Sequence, residues 1–246
     1  MTIGLVIFSR IDSRRLPGKA LRDLAGRPLL GRVIDQARCV PGAHPIIVAT
    51  SDRSDDDPIA EFARGDGVKV FRGSTDDVLG RAIACAKLNR LAWLVRICGD
   101  SPFVDAGLAG HMIGLSERYE CDLITNVFPR TYPKGTSIEV INVEALYSTD
   151  AITTELDERE HMTRPFYRNA DQFRIRNVRA EFEGGTDVSL AVDTPEDLAR
   201  SAWIIGKLGA PSASLPMMVS WARQWRSAAE EPGEAGHREN AKRRYP

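Results

Sequence analysis

What most constrains this chain is the alternation, through its first half, of short unbroken apolar runs with segments of helical spacing. Residues 2–8 ("TIGLVIF"), 45–49, 68–71 and 93–98 are continuous apolar or β-branched stretches, as expected of strands covered on both faces. Between them Leu29, Leu30, Val33, Ile34 and Ala37 recur at helical spacing, as do Val78, Ala82, Ile83 and Ala86. Asp57-Pro58 reads as a helix start with proline in the first turn. This order predicts an α/β fold: a three-layer, Rossmann-like, mostly parallel sheet. Ligands of such sheets sit beyond the carboxyl ends of the strands.

With 246 residues, 43% apolar and 27% charged, the chain suffices for one good-sized globular domain. Its formal net charge is −1, whereas a general nucleic-acid or membrane-surface binder carries a basic excess. No nucleic-acid and no membrane partner is therefore expected. No stretch is long and apolar enough for a membrane span, and the amino terminus enters a strand without a signal-peptide layout. Cys39, Cys85, Cys98 and Cys121 show no C-x-x-C spacing and lie in or beside apolar segments. Buried free thiols in a reducing cytoplasm are the expectation.

The second half is less regular. Residues 125–142, "TNVFPRTYPKGTSIEVIN", place prolines and a glycine between two strand-like pieces, which predicts an excursion, a hairpin or an arm over about 128–142. Residues 153–170 read as one charged helix, and 187–205 as strand, turn and helix. From Ser227 on, "SAAEEPGEAGHRENAKRRYP" has almost nothing to bury. The expected organisation is one domain over 1–226 and a disordered tail over 227–246.

Residues 9–21, "SRIDSRRLPGKAL", leave the first strand at the ligand edge and gather Arg10, Arg14, Arg15 and Lys19 around a Pro-Gly turn. Charge this dense repels itself unless an anion sits there. A solvated basic loop is the usual account of a charge run, but its position at the sheet edge argues against that here. A Walker A loop fails, because Ala20 follows Lys19 where Ser or Thr should hold Mg²⁺, and Ser13 stands where glycine is required. Another kind of triphosphate loop fits: arginine forks, a lysine point charge and backbone N–H groups all suit phosphate oxygens. Two aspartates follow apolar runs, Asp100 in "CGDSP" and Asp193 in "AVDTPED". Asp100 has an alternative as a turn former and Asp193 as a helix cap. As a pair at strand ends they suit Mg²⁺, which takes few protein oxygens and keeps waters and substrate phosphates.

These residues carry a resemblance. "R-x-x-S-x-R-L-P-G-K-A-L" is similar to the signature of the CMP-sugar cytidylyltransferases, which include the 3-deoxy-manno-octulosonate and acylneuraminate enzymes. "IIVATSD" (46–52), "GVKVFRGSTDDVLGR" (67–81), "VRICGDSPFVD" (95–105), "FPRTYPKGTSIEV" (128–140), "EREHMTRPFY" (158–167) and "LAVDTPEDL" (190–198) match in the same order. The set spans about residues 2–208 and most resembles the spore coat polysaccharide biosynthesis protein F-like branch. The resemblance implies a fold of the nucleotide-diphospho-sugar transferase type. It also implies a Mg²⁺-dependent cytidylyltransferase that moves CMP from CTP to a small anionic acceptor, a sugar acid, and releases pyrophosphate.

Residue by residue, it implies Mg²⁺ at Asp100 and Asp193, and the triphosphate at Arg10, Ser13, Arg15 and Lys19. Lys19, Arg15, Asp100 and Asp193 form the implied catalytic set. Phe8 and Ser9 fall where the pyrimidine is read. Arg72 and Arg81 approach base, ribose or phosphate, or lie on a solvated face; Arg96 faces the nucleotide or the core and needs a partner either way. Arg130, Tyr132, Lys134, Glu139, Arg159 and His161 fall on the acceptor side. An imidazole suits proton removal, although a histidine in a charged helix is more often merely exposed. The chain departs from the branch in having Phe8-Ser9 for Gln-Ala and Ile11-Asp12-Ser13-Arg14 for Met-Gly-Ser-Thr. Asp12 then sets a negative charge beside the loop, with Arg14 placed to neutralise it. Members of the family form dimers through the excursion, so a homodimer is expected. A glycosyltransferase on a similar sheet is disfavoured: "GDSPFVD" supplies no D-x-D, and Asp55-Asp56-Asp57 comes too early. A catalytically silent nucleotide-binding protein is the other alternative, against which both aspartates count.

Overall fold

The apolar runs are strands and the spaced runs are helices. The computed structural model describes residues 2–42, 44–208 and 214–230. In chain order these hold β1 (Ile3–Phe8), α1 (Leu29–Arg38), β2 (Ile46–Ser51), α2 (Asp57–Gly65), β3 (Lys69–Gly73), α3 (Val78–Leu88), β4 (Trp93–Cys98) and α4 (Ala106–Arg118). There follow β5 (Leu123–Thr125), β6 (Glu139–Asn142), α5 (Val143–Ile152), α6 (Leu156–Glu160), α7 (Arg164–Arg168), β7 (Ile175–Asn177), α8 (Pro195–Lys207) and α9 (Leu215–Glu230).

The strands form one sheet in the order β3-β2-β1-β4-β6-β5-β7. β6 runs against its neighbours β4 and β5, and the other pairings are parallel. Side chains alternate across the sheet. Ile3, Leu5 and Ile7 of β1 pack with α1, α2 and α4 through Leu30, Val33, Ile59, Ala63 and Met112. Val6 and Leu94 meet α3, α5 and α7 on the other face through Leu79, Ala82, Leu146 and Phe166. The result is three layers, with each fully buried Leu, Ile or Phe side chain stabilising the fold by about 2 kcal/mol.

Strand order reverses between β1 and β4, so a crevice opens beyond Phe8 and Cys98. The two strands exit close together there. A β-carbon on Gly99 would stand 2.7 Å from Ser9 Cβ, which leaves room only for glycine.

Of the expected 128–142 excursion, residues 128–138 lie in the connection of the β5–β6 hairpin and 139–142 are β6 itself; the connection folds back on the domain rather than standing out as an arm. Tyr132, Thr136 and Ile138 are buried, Lys134 N–H donates to Val188 O (3.2 Å), and Leu190 N–H donates to Lys134 O (2.7 Å). Gly135 has φ +85° and its absent β-carbon would meet Ala191 N at 2.2 Å. The strand expected before Asp193 is reduced to an isolated bridge between Lys134 and Ser189, because its partner is a loop that pairs only briefly. α8 is capped by Thr194, not Asp193: the Thr194 hydroxyl accepts Asp197 N–H (3.1 Å) and the Asp197 carboxylate accepts Thr194 N–H (2.9 Å).

Three further expectations change. The charged helix over 153–170 is two short helices, α6 and α7, because Pro165 has no N–H to donate to the carbonyl four residues back and its ring clashes with it, so the helix restarts at Arg164 with proline in its first turn. α9 continues to Glu230, past the expected boundary at 226, and residues 231–246 of the expected tail lie outside the described residues. All four cysteines are free, but Cys39 is exposed at the end of α1 and Cys98 is half-buried; only Cys85 and Cys121 are buried. Among the described residues no helix is long and apolar enough to cross a membrane.

Gly135→Ala should destabilise the protein by about 3 kcal/mol, combining a left-handed backbone with a backbone clash. Urea unfolding followed by circular dichroism measures it, and an unchanged midpoint contradicts the packing just described.

Candidate active site

A cavity of about 550 Å³ occupies the crevice between the ends of β1 and β4. The loop after β1 forms one wall. Its Leu16 is buried in a cluster with Leu24, Leu29 and Val192, and Ala20 is buried in the main core. These anchors bring Lys19, at the head of a short 3-10 turn (Lys19–Leu21), against the segment that carries Asp193. Val192 N–H in turn donates to Asp100 O (2.9 Å), which sets the two aspartates side by side.

Lys19 Nζ lies 2.8 Å from Asp100 Oδ2 and 2.8 Å from Asp193 Oδ1, and donates to Val192 O at 3.1 Å. Burial would lower the pKa of this ammonium, but the charges and hydrogen bonds of Asp100 and Asp193 outweigh burial and raise it. Ser101 Oγ donates to Asp100 Oδ1 (3.2 Å), and Arg15 pairs with Asp193 Oδ2 at 2.9 Å. Since Thr194 provides the cap, the Asp193 carboxylate is free for this site. Two hard oxygens converging on one cation suit a small divalent metal completed by water and phosphate. Among the described residues no third His, Cys, Asp or Glu joins them.

Arg10 lines the cavity, with Nη1 donating to Thr75 O (2.8 Å) and Nη2 pairing with Glu160 (3.2 Å). Asp12 is neutralised by Arg53 (2.8 Å) and Arg10 (3.4 Å), not by Arg14. Arg14 is exposed, lines the cavity and makes no ion pair among the described residues. At the inner end Arg81 is 3% exposed, beside Phe8, with its guanidinium carbon 5.8 Å from the ring centre. Nη1 donates to Ser74 O (3.1 Å), while Nε is buried without a partner. Burial and the neighbouring Arg10 push the Arg81 pKa down to about 10. The ordinary value is 12.5, so charging Arg81 destabilises the ligand-free fold below pH 10, and the penalty fades as pH rises beyond it. An anion or carbonyl acceptor at this point relieves it.

Phe8, Ser9, Ser13, Arg96 and His161 also line the cavity. Arg96 pairs with Glu139, which is 2% exposed and also accepts from the Tyr167 hydroxyl. Thr125 Oγ1 lies 2.9 Å from that same hydroxyl. Burial would lower the Arg96 pKa, but the charge and hydrogen bond of Glu139 hold it above the ordinary range. Arg96 thus spans cavity and core, with the partner that its burial demands.

The remaining expected residues do not line the cavity. Arg72 is wholly committed: Nε to Ser51 O (3.0 Å), Nη2 to Arg53 O (2.7 Å) and Nη1 to Asp57. Arg159 ties α6 to Asp77, the cap of α3, and to Asp150, both at 2.8 Å. Tyr132 is buried in a satellite core, edge-on to Phe182, with its pKa raised by burial. Arg130 turns to Pro133 O (3.3 Å) and Ser137 Oγ (3.1 Å), and Lys134 is exposed. Glu139 sits behind the cavity rather than on its wall. Sequence reasoning missed Glu160, which lines the cavity next to His161; nothing in a charged run marks the one carboxylate that turns inward.

A triphosphate-shaped basic loop and paired carboxylates at the switch point of such a sheet define a nucleotidyltransferase. The sequence profile of the cytidylyltransferases matches residues 5–199, and the chain belongs to that family. The spore coat polysaccharide biosynthesis protein SpsF of Bacillus subtilis is 29% identical over 238 residues, spanning 93% of this chain and 97% of that protein. The 3-deoxy-manno-octulosonate cytidylyltransferase of Acinetobacter baumannii is 35% identical over 127 residues, 49% of either chain. A cytidylyltransferase structure from Leptospira borgpetersenii superposes with a TM-score of 0.87 at 27% identity, over 95% of this chain and 99% of that one. The motif resemblance and the expected fold are thereby established, and the protein is an enzyme of cytidylyl transfer.

Arg81→Met should leave the ligand-free protein as stable as wild type or more stable by about 1 kcal/mol, because a buried charge without a carboxylate is replaced by an apolar chain of similar length. The same variant should lose most of the thermal shift that a nucleoside triphosphate gives. A loss of ligand-free stability beyond about 2 kcal/mol would show Arg81 to be a structural residue.

Proposed function

We propose that the protein transfers CMP from CTP to a small anionic acceptor, a sugar acid, with release of pyrophosphate and with Mg²⁺ as its metal. One observation carries this reading: Lys19, Asp100 and Asp193, from three distant segments, meet at 2.8 Å on the wall of a cavity lined by Arg10, Arg14, Arg15 and Arg81. Asp100 and Asp193 would hold the ion, which when bound supplies positive charge to the phosphoryl oxygens and the departing pyrophosphate. Lys19 and Arg15, both already at the carboxylates, contribute cations to the triphosphate, and Arg10, Arg14 and Ser13 complete its cradle. Phe8, Ser9 and Arg81 receive the base, with arginine donors facing its carbonyl acceptor. Arg96, fixed by Glu139, and His161 with Glu160 face the acceptor; His161 is the group suited to taking its proton. The enzyme acts in the cytoplasm, where its free thiols persist, and works as a homodimer, which light scattering at micromolar concentration tests.

The decisive experiment follows pyrophosphate release with CTP, Mg²⁺ and a panel of sugar acids. Turnover with at least one acid is expected, and Asp100→Asn should lower it at least about a hundredfold while the circular dichroism spectrum stays unchanged. Near-normal turnover in that variant overturns the metal assignment. Lys19→Ala should raise the KM for CTP and slow transfer together.

A further inference from the structure

The acidic run Asp55-Asp56-Asp57 has no part in the site described above, yet its middle member is the most deeply placed carboxylate near the loop. β2 ends at Ser51 and the chain turns at once through a 3-10 turn, Ser54–Asp56. Asp56 is 0% exposed and makes no ion pair of its own among the described residues. A buried carboxylate in that state is costly unless its oxygens are filled by donors. Asp56 Oδ2 accepts Ser51 N–H (3.2 Å) and the Ser51 hydroxyl. Oδ1 accepts Ile11 N–H at 2.6 Å, and Ile11 belongs to the phosphate loop.

The next loop residue is held from the same turn. Arg53 reaches Asp12 at 2.8 Å, and Arg72 braces the platform by donating to Ser51 O and Arg53 O. The loop is therefore tied at its start by Ile11 and Asp12, and at its end by Leu16, Lys19 and Ala20. The carboxylates that pair with Arg10, Arg15 and Lys19 offset repulsion among these cations, but they hold side chains; the Ile11 amide is where the backbone at the loop's start is fixed. Asp56 does not line the cavity and touches no part of the ligand space, so its effect passes through the Ile11 amide.

We infer that Asp56, with Arg53 beside it, is a positioning residue that presets the phosphate loop for the triphosphate. The inference rests on reading the cavity as a triphosphate site.

The test uses the full chain and the variants Asp56→Asn, Asp56→Ala and Arg53→Ala. Calorimetric titration with CTP and Mg²⁺, well below each melting point, gives affinity; hydrogen–deuterium exchange of peptides over residues 9–15 gives loop order. Asp56→Asn retains one carbonyl oxygen for the donors that two oxygens now share. Its CTP affinity should fall about tenfold, as for one charge-assisted hydrogen bond, and exchange over 9–15 should quicken about as much while that of β1 does not change. Arg53→Ala, at a half-buried position, should show both effects at about threefold. If the Asp56 variants melt earlier but bind CTP and exchange at 9–15 like wild type, Asp56 is only structural and the inference is overturned. Should they fail to fold, Arg53→Ala decides: a loosened loop supports the inference, and wild-type exchange overturns it. A wild-type chain that does not bind CTP sinks the nucleotide reading instead, while the exchange comparison still settles whether Asp56 sets the loop.

Discussion

The contact on which this architecture turns is one ammonium shared by two carboxylates. Lys19 leaves the first crossover, Asp100 leaves β4, and Asp193 precedes α8, so no local preference brings them together. They meet because Leu16 and Val192 share a small apolar cluster and because Val192 N–H is bonded to Asp100 O. A half-buried ammonium with a single partner would be poorly compensated; with two carboxylates and a carbonyl oxygen its donors are filled. The apolar packing makes the meeting possible, and the charges make it specific.

The arginines divide by the same physics into those that hold the fold and those that line the cavity without a carboxylate. Arg72 and Arg159 have carboxylates and carbonyls at every useful donor and act as braces. Arg96 has a buried glutamate behind it, which fixes its direction while its edge reaches the cavity. Arg81 and Arg14 have no carboxylate among the described residues, and both line the cavity. An arginine on a cavity wall that lacks a carboxylate, in a fold that pairs Arg10, Arg15, Arg72, Arg96 and Arg159 with one, is suited to an anion from outside. That criterion separates Arg81 from Arg72, which the motif "FRGSTDDVLGR" presents as equivalents.

Much of the fold was legible because its determinants are local. Continuous apolar runs made β1 to β4 readable, and the alternating helices implied the doubly wound order. The switch-point site followed from topology, and the Arg10–Lys19 loop with Asp100 and Asp193 could be located before any coordinates. One local signal was overridden: Pro165 breaks the helix over 153–170 despite the charged pattern around it. What else escaped were long-range facts. Tyr132 and Arg130 were assigned to the acceptor from a motif, whereas burial against Phe182 and Val188 decides the tyrosine. Asp56 entered only as part of an acidic run too early for a glycosyltransferase motif, and its burial and the approach of Ser51 and Ile11 N–H distinguish it from its neighbours. Asp12 proved to be neutralised by Arg53, forty-one residues away, together with Arg10, and not by Arg14.

The arrangement also explains how so cationic a loop is assembled before its ligand arrives. Asp12, Asp100, Asp193 and Glu160 each pair with one of the loop's cations or with Arg53, so repulsion within the loop is offset by carboxylates already present. Those carboxylates do not all serve one purpose. Asp12 and Glu160 sit on the flank and can stay where they are, whereas Asp100 and Asp193 are the pair whose oxygens suit a divalent ion. Were such an ion to take up their charge, the Lys19 ammonium and Arg15 guanidinium that they balance would be left to a phosphate. On the proposed reading, metal and triphosphate would then favour one another through the electrostatics of Lys19 and Arg15, without any movement of the sheet.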